Sequence, residues 1–216
     1  MATQMSIPER KATFSHRGVT LSYLSHPYNH ASRNMRSIEV PIIRHYLELA
    51  WMHNPQTTVL EFGNVLEHYG PRDWSVLDVK EKGPGITNAD VMKWEPPSRY
   101  SLIVSISTLE HIGFGAYVDF TDMPPFPHAV VARLKSWLAP GGVLVMTVPA
   151  GFNPMLDLEV HMGKLGVDHT WYMYRVNDAN EWADCTVAEG LAMPYGKRWK
   201  WGSGMGVLQV GELGWR

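Results

Sequence analysis

YSLIVSISTLEHIG at residues 100–113 and LKSWLAPGGVLVMTVP at residues 134–149 decide the fold. The first is an apolar run from Tyr100 that breaks off into four functional side chains, Ser107, Thr108, Glu110 and His111. The second carries helical spacing as far as Leu138, a Pro140-Gly141-Gly142 stop, and a new apolar run from Val143 to Val148. Strand, polar loop, helix, stop and strand make a βαβ unit with a parallel pair. In open α/β sheets the ligand crevice lies beyond the carboxyl ends of such strands. The four side chains are therefore delivered to the edge where chemistry is expected.

Upstream, Val40, Ile43, Leu47 and Ala50 or Trp51 recur at helical spacing in a helix that begins near Asn34. Pro41 belongs in its first turn and Asn54-Pro55 ends it. Thr57 to Phe62 predicts a buried strand, Ser75 to Val79 a second and Ile86 to Asp90 a weaker third. Between Phe62 and Ser75 there is little room for a crossover helix, so this connection should be short or irregular. Downstream, a looped and helical stretch over 150–168 leads to a strand at His169 to Arg175, and a last strand lies at Gly206 to Gly211. Pro124-Pro125-Phe126-Pro127 is expected as a loop over the crevice. Alternating strands and helices predict a doubly wound α/β sheet. We divide the chain into an N-terminal arm, 1–33, and one Rossmann-like domain, 34–216.

The chain has 216 residues, enough for one sizeable core and short for two. A formal net charge of -2 is unlike the basic footprint of a duplex-binding protein, so a nucleic-acid partner is disfavoured. Cys185 is the single cysteine, which excludes an intrachain disulfide or a multi-cysteine metal site and suits a reducing compartment. The polar N-terminal stretch lacks the apolar segment of a secretory signal, and no apolar run approaches the roughly 20 residues that span a bilayer. The expectation is a soluble, cytoplasmic protein with no membrane partner.

Glu61-Phe62-Gly63-Asn64 closes the first strand, and Gly63 permits a tight turn or a close approach of ligand to backbone. One glycine is not the G-x-G-x-x-G that wraps a pyrophosphate, and no G-x-x-x-x-G-K-[ST] loop is present, so dinucleotide and P-loop chemistry are disfavoured. Asp78 ends the second strand seventeen positions after Glu61, an offset at which an acid accepts ribose hydroxyls. Asp90 follows the third strand. Three carboxylates without a basic phosphate cradle point to a ribose-bearing, phosphate-free cation, and S-adenosylmethionine fits that description.

The ordered blocks VLEFGN, VLDVKEKG, NADVMKW, YSLIVSISTLEHIG and LKSWLAPGGVLVMTVP resemble the class I S-adenosylmethionine-dependent methyltransferases over roughly residues 35–175 and the last strand. The resemblance implies a mostly parallel seven-stranded sheet with an antiparallel last strand. It also implies that Glu61, Gly63 and Asn64 line the methionine end of the cofactor. Asp78 would hold the ribose, Asp90 with Val91 the adenine, and Ser107 would sit beside the cofactor. The sequence departs from the family in its first loop, where Gly63-Asn64-Val65-Leu66 replaces a glycine-rich turn. The block Asn34-Met35-Arg36…Glu39-Val40-Pro41, with the short first crossover, resembles a bacterial and phage-associated subgroup.

His111 is the candidate general base, since its ordinary pKa is about 6.5, with Glu110 beside it in the catalytic pair. Alternatively, both shape the loop. Glu110 and His111 show no metal-ligand spacing, and no metal is expected. Met123, Phe126, Phe152, Met155 and Tyr172 are candidate walls of a substrate pocket, and His128, His161 and His169 are expected at the surface or in packing. In Lys197-Arg198-Trp199-Lys200-Trp201 the tryptophans are expected to dock on the domain while the cationic heads stay wet. The resulting expectation is methylation, at oxygen, of a small-molecule or glycan-like acceptor. The alternatives are a catalytically silent nucleoside-binding or scaffold module and a nucleic-acid methyltransferase.

Overall fold

The computed structural model describes residues 10–114 and 126–212. Met123 and the Pro124-Pro125 half of the expected crevice loop lie outside them. The described chain opens with a hairpin of β1 (Thr13–His16) and β2 (Val19–Ser22), which buries Phe14 in the core. Helix α1 (Arg36–His53) follows and starts two residues later than expected. Pro41 is its sixth residue and so falls inside the helix rather than in its first turn. A proline there removes the amide that would bond the carbonyl of Ser37. The Leu24 amide replaces it, donating to that carbonyl at 2.9 Å.

The main sheet uses β3 (Val59–Phe62), β4 (Ser75–Asp78), β5 (Ile86–Asn88), β6 (Tyr100–Ile106) and β7 (Leu138–Pro149), joined by β8 (His169–Arg175), β9 (Trp182–Cys185) and β10 (Gly204–Val210). Helices α2 (Pro127–Ser136), α3 (Pro154–His161) and α4 (Val187–Leu191) lie between these strands in the chain. Among the described residues the sheet order is β5-β4-β3-β6-β7-β10-β8-β9. The first five are parallel, and β10 runs antiparallel between β7 and β8. This is the expected mostly parallel sheet with an antiparallel last strand. It is one strand wider than expected, because β9 adds an antiparallel edge to β8.

Two boundaries differ instructively. Only a 3-10 turn at Leu66–Tyr69 connects β3 to β4, in keeping with the short crossover anticipated. Pro140-Gly141-Gly142, expected to stop the chain before a strand, instead forms an excursion within β7. Tyr100 pairs with Leu138 and Leu102 with Val143, so the intervening residues bulge out of register. Gly142 fits there because a Cβ would sit 2.9 Å from the carbonyl oxygens of both Ala139 and Tyr100.

Alternation along β6 divides the core. Leu102, Val104 and Ile106 pack with Ile38, Ile42, Ile43 and Leu47 of α1. Ile103 joins Val130, Val131 and Leu134 of α2 on the opposite face. Each such side chain contributes about 1.5–3 kcal/mol relative to exposure. No helix among the described residues is long and apolar enough to cross a membrane.

The chain moves outward from β3 to β4 and β5, then returns to β6 on the other side of β3. That reversal places a crevice at the carboxyl ends of β3 and β6.

Candidate functional site at the strand switch point

Two unusual backbone conformations flank the crevice. Gly63, after β3, has φ +87°, and Ser107, after β6, has φ +41°. The reason for glycine at 63 is a neighbour within the fold: a Cβ there would lie 2.0 Å from Thr108 Oγ1. Ser107 holds a conformation that costs a non-glycine residue of order 1–3 kcal/mol and recurs at functional sites. Its hydroxyl donates to Glu39 Oε1 at 2.5 Å, and its amide donates to the Thr147 carbonyl at 2.9 Å.

Glu39 is the centre of a buried network that links α1 to the strand ends. Its Oε1 also accepts from Thr147 Oγ1 at 3.0 Å, and its Oε2 accepts from Arg36 Nη1 at 2.5 Å. Burial works against the Arg36 charge, but Glu39, then Glu110 and Tyr69, more than restore it, so the guanidinium pKa is raised.

A cavity of about 140 Å³ opens beside this network, with Arg36, Glu39, Ser107, Glu110 and His111 among its lining residues. Phe152, Tyr195 and Trp201 supply aromatic wall. Phe152 stands edge-on to both His111 and Tyr195, at centroid distances of 5.1 and 5.0 Å. Glu110 is buried, and its Oε2 has no hydrogen-bond partner. Burial pushes its carboxyl pKa up to about 8; its own backbone N–H opposes the rise, Glu39 adds to it and Arg36 also opposes it. His111 Nε2 lies 3.8 Å from Glu110 Oε1. Burial and the Arg36 charge lower the imidazole pKa, which keeps the ring neutral near pH 7. Asn153 fixes this turn, donating to the carbonyls of Glu110 at 2.9 Å and Ile112 at 3.0 Å.

The remaining predicted residues stand along the neighbouring loops. Glu61 is fully buried: Oε1 accepts from the amides of Val65 and Leu66 at 2.8 and 2.7 Å, and Oε2 from Trp74 Nε1 at 2.9 Å. It clamps the first loop. Asp78 accepts from the Asn64 amide through Oδ2 at 2.9 Å, and from the Lys80 and Glu81 amides through Oδ1 at 2.7 and 2.8 Å. The Asn64 side chain donates to Glu81 Oε2 at 2.7 Å, while its Oδ1 is buried without a partner. Asp90 Oδ1 accepts from the Met92 amide at 2.9 Å, and Val91 packs in the core. The crevice thus unites Ser107, Glu110 and His111 with Arg36 and Glu39, which the reading of individual site residues did not single out. Their signal was an Arg and a Glu three apart, with the Glu set inside the otherwise apolar run Ile38 to Ile43.

Of the expected pocket walls, Phe152 lines the cavity, whereas Tyr172 is buried against Gly190 and Gly206. Phe126 and Met155 are exposed. In the basic aromatic segment Trp199 donates to Asp178 Oδ1 at 2.8 Å and is covered by Arg175 and Arg198. Trp201 reaches the cavity wall.

No family model and no curated protein matches the chain. Among solved structures it is similar to the N-methyltransferase NodS from Bradyrhizobium japonicum in complex with S-adenosyl-L-homocysteine, at 17% identity over 80% of this chain and 87% of that one, with a TM-score of 0.41. It is also similar to a possible histamine N-methyltransferase from Thermotoga maritima, at 10% identity over 77% and 87% of the two chains, TM-score 0.44. A third is 1,6-didemethyltoxoflavin-N1-methyltransferase from Burkholderia thailandensis, at 12% identity over 94% and 99%, TM-score 0.39.

Proposed function

We propose that the protein is an S-adenosylmethionine-dependent methyltransferase acting on a small or glycan-like acceptor, with transfer to a hydroxyl oxygen. The observation that carries this reading is the crevice at the switch point, where the strained Ser107 lines a cavity that also holds the buried acidic side chains of Glu39 and Glu110.

The residues present fit such a cofactor. Glu39 neutralises the single guanidinium in the cavity wall, and Glu110 adds a second acidic group that a cationic ligand would draw into its charged form. Asp78 accepts three backbone amides. A carboxylate offers about four acceptor sites, so capacity for one ribose hydroxyl remains. Asn64 Oδ1 adds an acceptor at the same turn. When bound, the cofactor supplies a methyl group on a sulfonium leaving group.

The chain's own contribution is positioning and proton handling. Amide, guanidinium and hydroxyl groups from Asn29, Asn34, Arg36 and Ser107, set against Trp201 and Phe152, suit a polyhydroxylated acceptor. Bringing its oxygen to within about 3–3.5 Å of the methyl carbon supplies most of the acceleration. The neutral imidazole of His111 takes the hydroxyl proton as the new bond forms, while Glu110 shapes the charge around the site.

Calorimetry tests the reading. S-adenosylmethionine should bind, and Asp78→Ala should weaken binding by about 1.5–3 kcal/mol, the loss expected for a hydrogen bond to a charged group. Absence of binding up to millimolar cofactor would favour a silent module instead.

A further inference from the structure

We propose that the cavity receives an organic cation against the Glu110 carboxylate and that a proton leaves Glu110 as the cation arrives. The methyltransferase reading supplies one source of that cation, the cofactor's sulfonium. An ammonium group, on the acceptor or on the cofactor's methionine end, is the other.

The other charges in the cavity wall already have partners. Arg36 is held by Glu39, and the second Glu39 oxygen takes the hydroxyls of Ser107 and Thr147. Glu110 has no such arrangement. Its side chain is 3% exposed, Oε1 stands 3.8 Å from His111 Nε2, and Oε2 has no hydrogen-bond partner. A buried polar atom in that condition is costly unless something satisfies it. Asn153 locks the main chain of the turn, so Glu110 is held at the cavity wall. The aromatic rings of Phe152, Tyr195 and Trp201 complete a lining that favours cations over anions.

The charged and titratable groups around Glu110 are Arg36 and Glu39 from α1, His111 on its own turn, and Tyr195 from the segment before β10. Burial first, and Glu39 after it, keep the carboxyl protonated at pH 7; its own backbone N–H and Arg36 oppose them without prevailing. A cation in contact reverses that balance and favours the carboxylate. The Glu110 O–H bond breaks, its electron pair stays on the carboxylate, and the proton bonds to the buffer base; no bond between heavy atoms changes.

The experiment is calorimetry at pH 7 in phosphate and in Tris, whose ionisation enthalpies differ, so that the heat reports protons released. The probes are S-adenosylmethionine, S-adenosylhomocysteine, 2-phenylethylamine and its neutral counterpart 2-phenylethanol, each against wild type and Glu110→Gln. At least one cation should release close to one proton from wild type and none from the variant, and 2-phenylethanol should release none. The variant should bind that cation about 10–100-fold more weakly. Release with S-adenosylmethionine alone identifies the sulfonium, and release with S-adenosylhomocysteine as well identifies the shared amino-acid ammonium. Release with 2-phenylethylamine identifies an acceptor ammonium.

Wild-type affinity for the same cation should rise up to tenfold per pH unit between pH 6 and 8, a readout that requires no variant. Binding of S-adenosylmethionine without proton release, with the amine also silent, overturns the proposal and leaves the methyltransferase reading standing. Proton release by the amine with no cofactor binding does the reverse. If neither cation binds at millimolar concentration, both fail.

Discussion

Replacing Glu110 by glutamine should remove a strong pH dependence from the stability of the fold. The carboxyl has an ordinary pKa of 4.5 and is raised to about 8 in the folded protein, first by burial. At 1.36 kcal/mol per pH unit, the gap corresponds to an upper bound of roughly 5 kcal/mol. Relaxation and water entry reduce it, leaving about 2–5 kcal/mol. Because the folded pKa lies above the unfolded one, the contribution is fully present below pH 4.5 and is lost as pH rises to 8. The assay is urea unfolding of both proteins at pH 5, 6.5 and 8. The wild-type stability minus that of Glu110→Gln should fall steadily from pH 5 to 8, by most of that amount. Taking the difference cancels the titrating groups that do not interact with Glu110. A difference that stays constant with pH would mean that Glu110 ionises normally in the fold, and the electrostatic account of the cavity would be wrong.

Other outcomes follow from the same geometry. Gly63→Ala should lower stability by more than 1 kcal/mol, because its Cβ meets Thr108 Oγ1 at 2.0 Å and its φ is positive; Thr108→Ala should recover part of the loss in a double-mutant cycle by urea unfolding. Glu61→Ala should cost about 3 kcal/mol or more in the same assay, because the amides of Val65 and Leu66 and the Trp74 indole lose their acceptor. With a hydroxyl acceptor, His111→Ala should reduce kcat by about 10²–10⁴-fold and leave cofactor affinity nearly unchanged. The wild-type rate should rise with pH through a pKa below 6.5, since burial and Arg36 lower that of the imidazole, and the variant should lose this limb.

The central strands were legible because they are buried on both faces and so appear as continuous apolar runs. The strand at His169–Arg175 is found where the sequence predicts it. β9 was not legible: Trp-Ala-Asp-Cys is too short and mixed to announce an edge strand, and it exists because β8 offers it a partner. Pro41 was expected in the first turn of α1 and stands inside the helix instead, because the Leu24 amide, just after β2, fills the bond the proline removes. In the site, Ser107, Glu110 and His111 stood out as polar residues ending an apolar strand. Arg36 and Glu39 did not, since only packing of α1 over β6 and β7 brings Glu39 to Ser107, 68 positions away. Gly63 was legible as a special position, yet its reason, Thr108, was visible only in three dimensions.

The most direct measurement of the central claim is a crystal structure of the complex with S-adenosylhomocysteine. The account predicts the ligand in the crevice between the Gly63 turn and Ser107, with its ribose on Asp78 and its sulfur facing the Glu110 cavity. A ligand bound elsewhere on the protein, or no bound ligand at millimolar concentration, would contradict it.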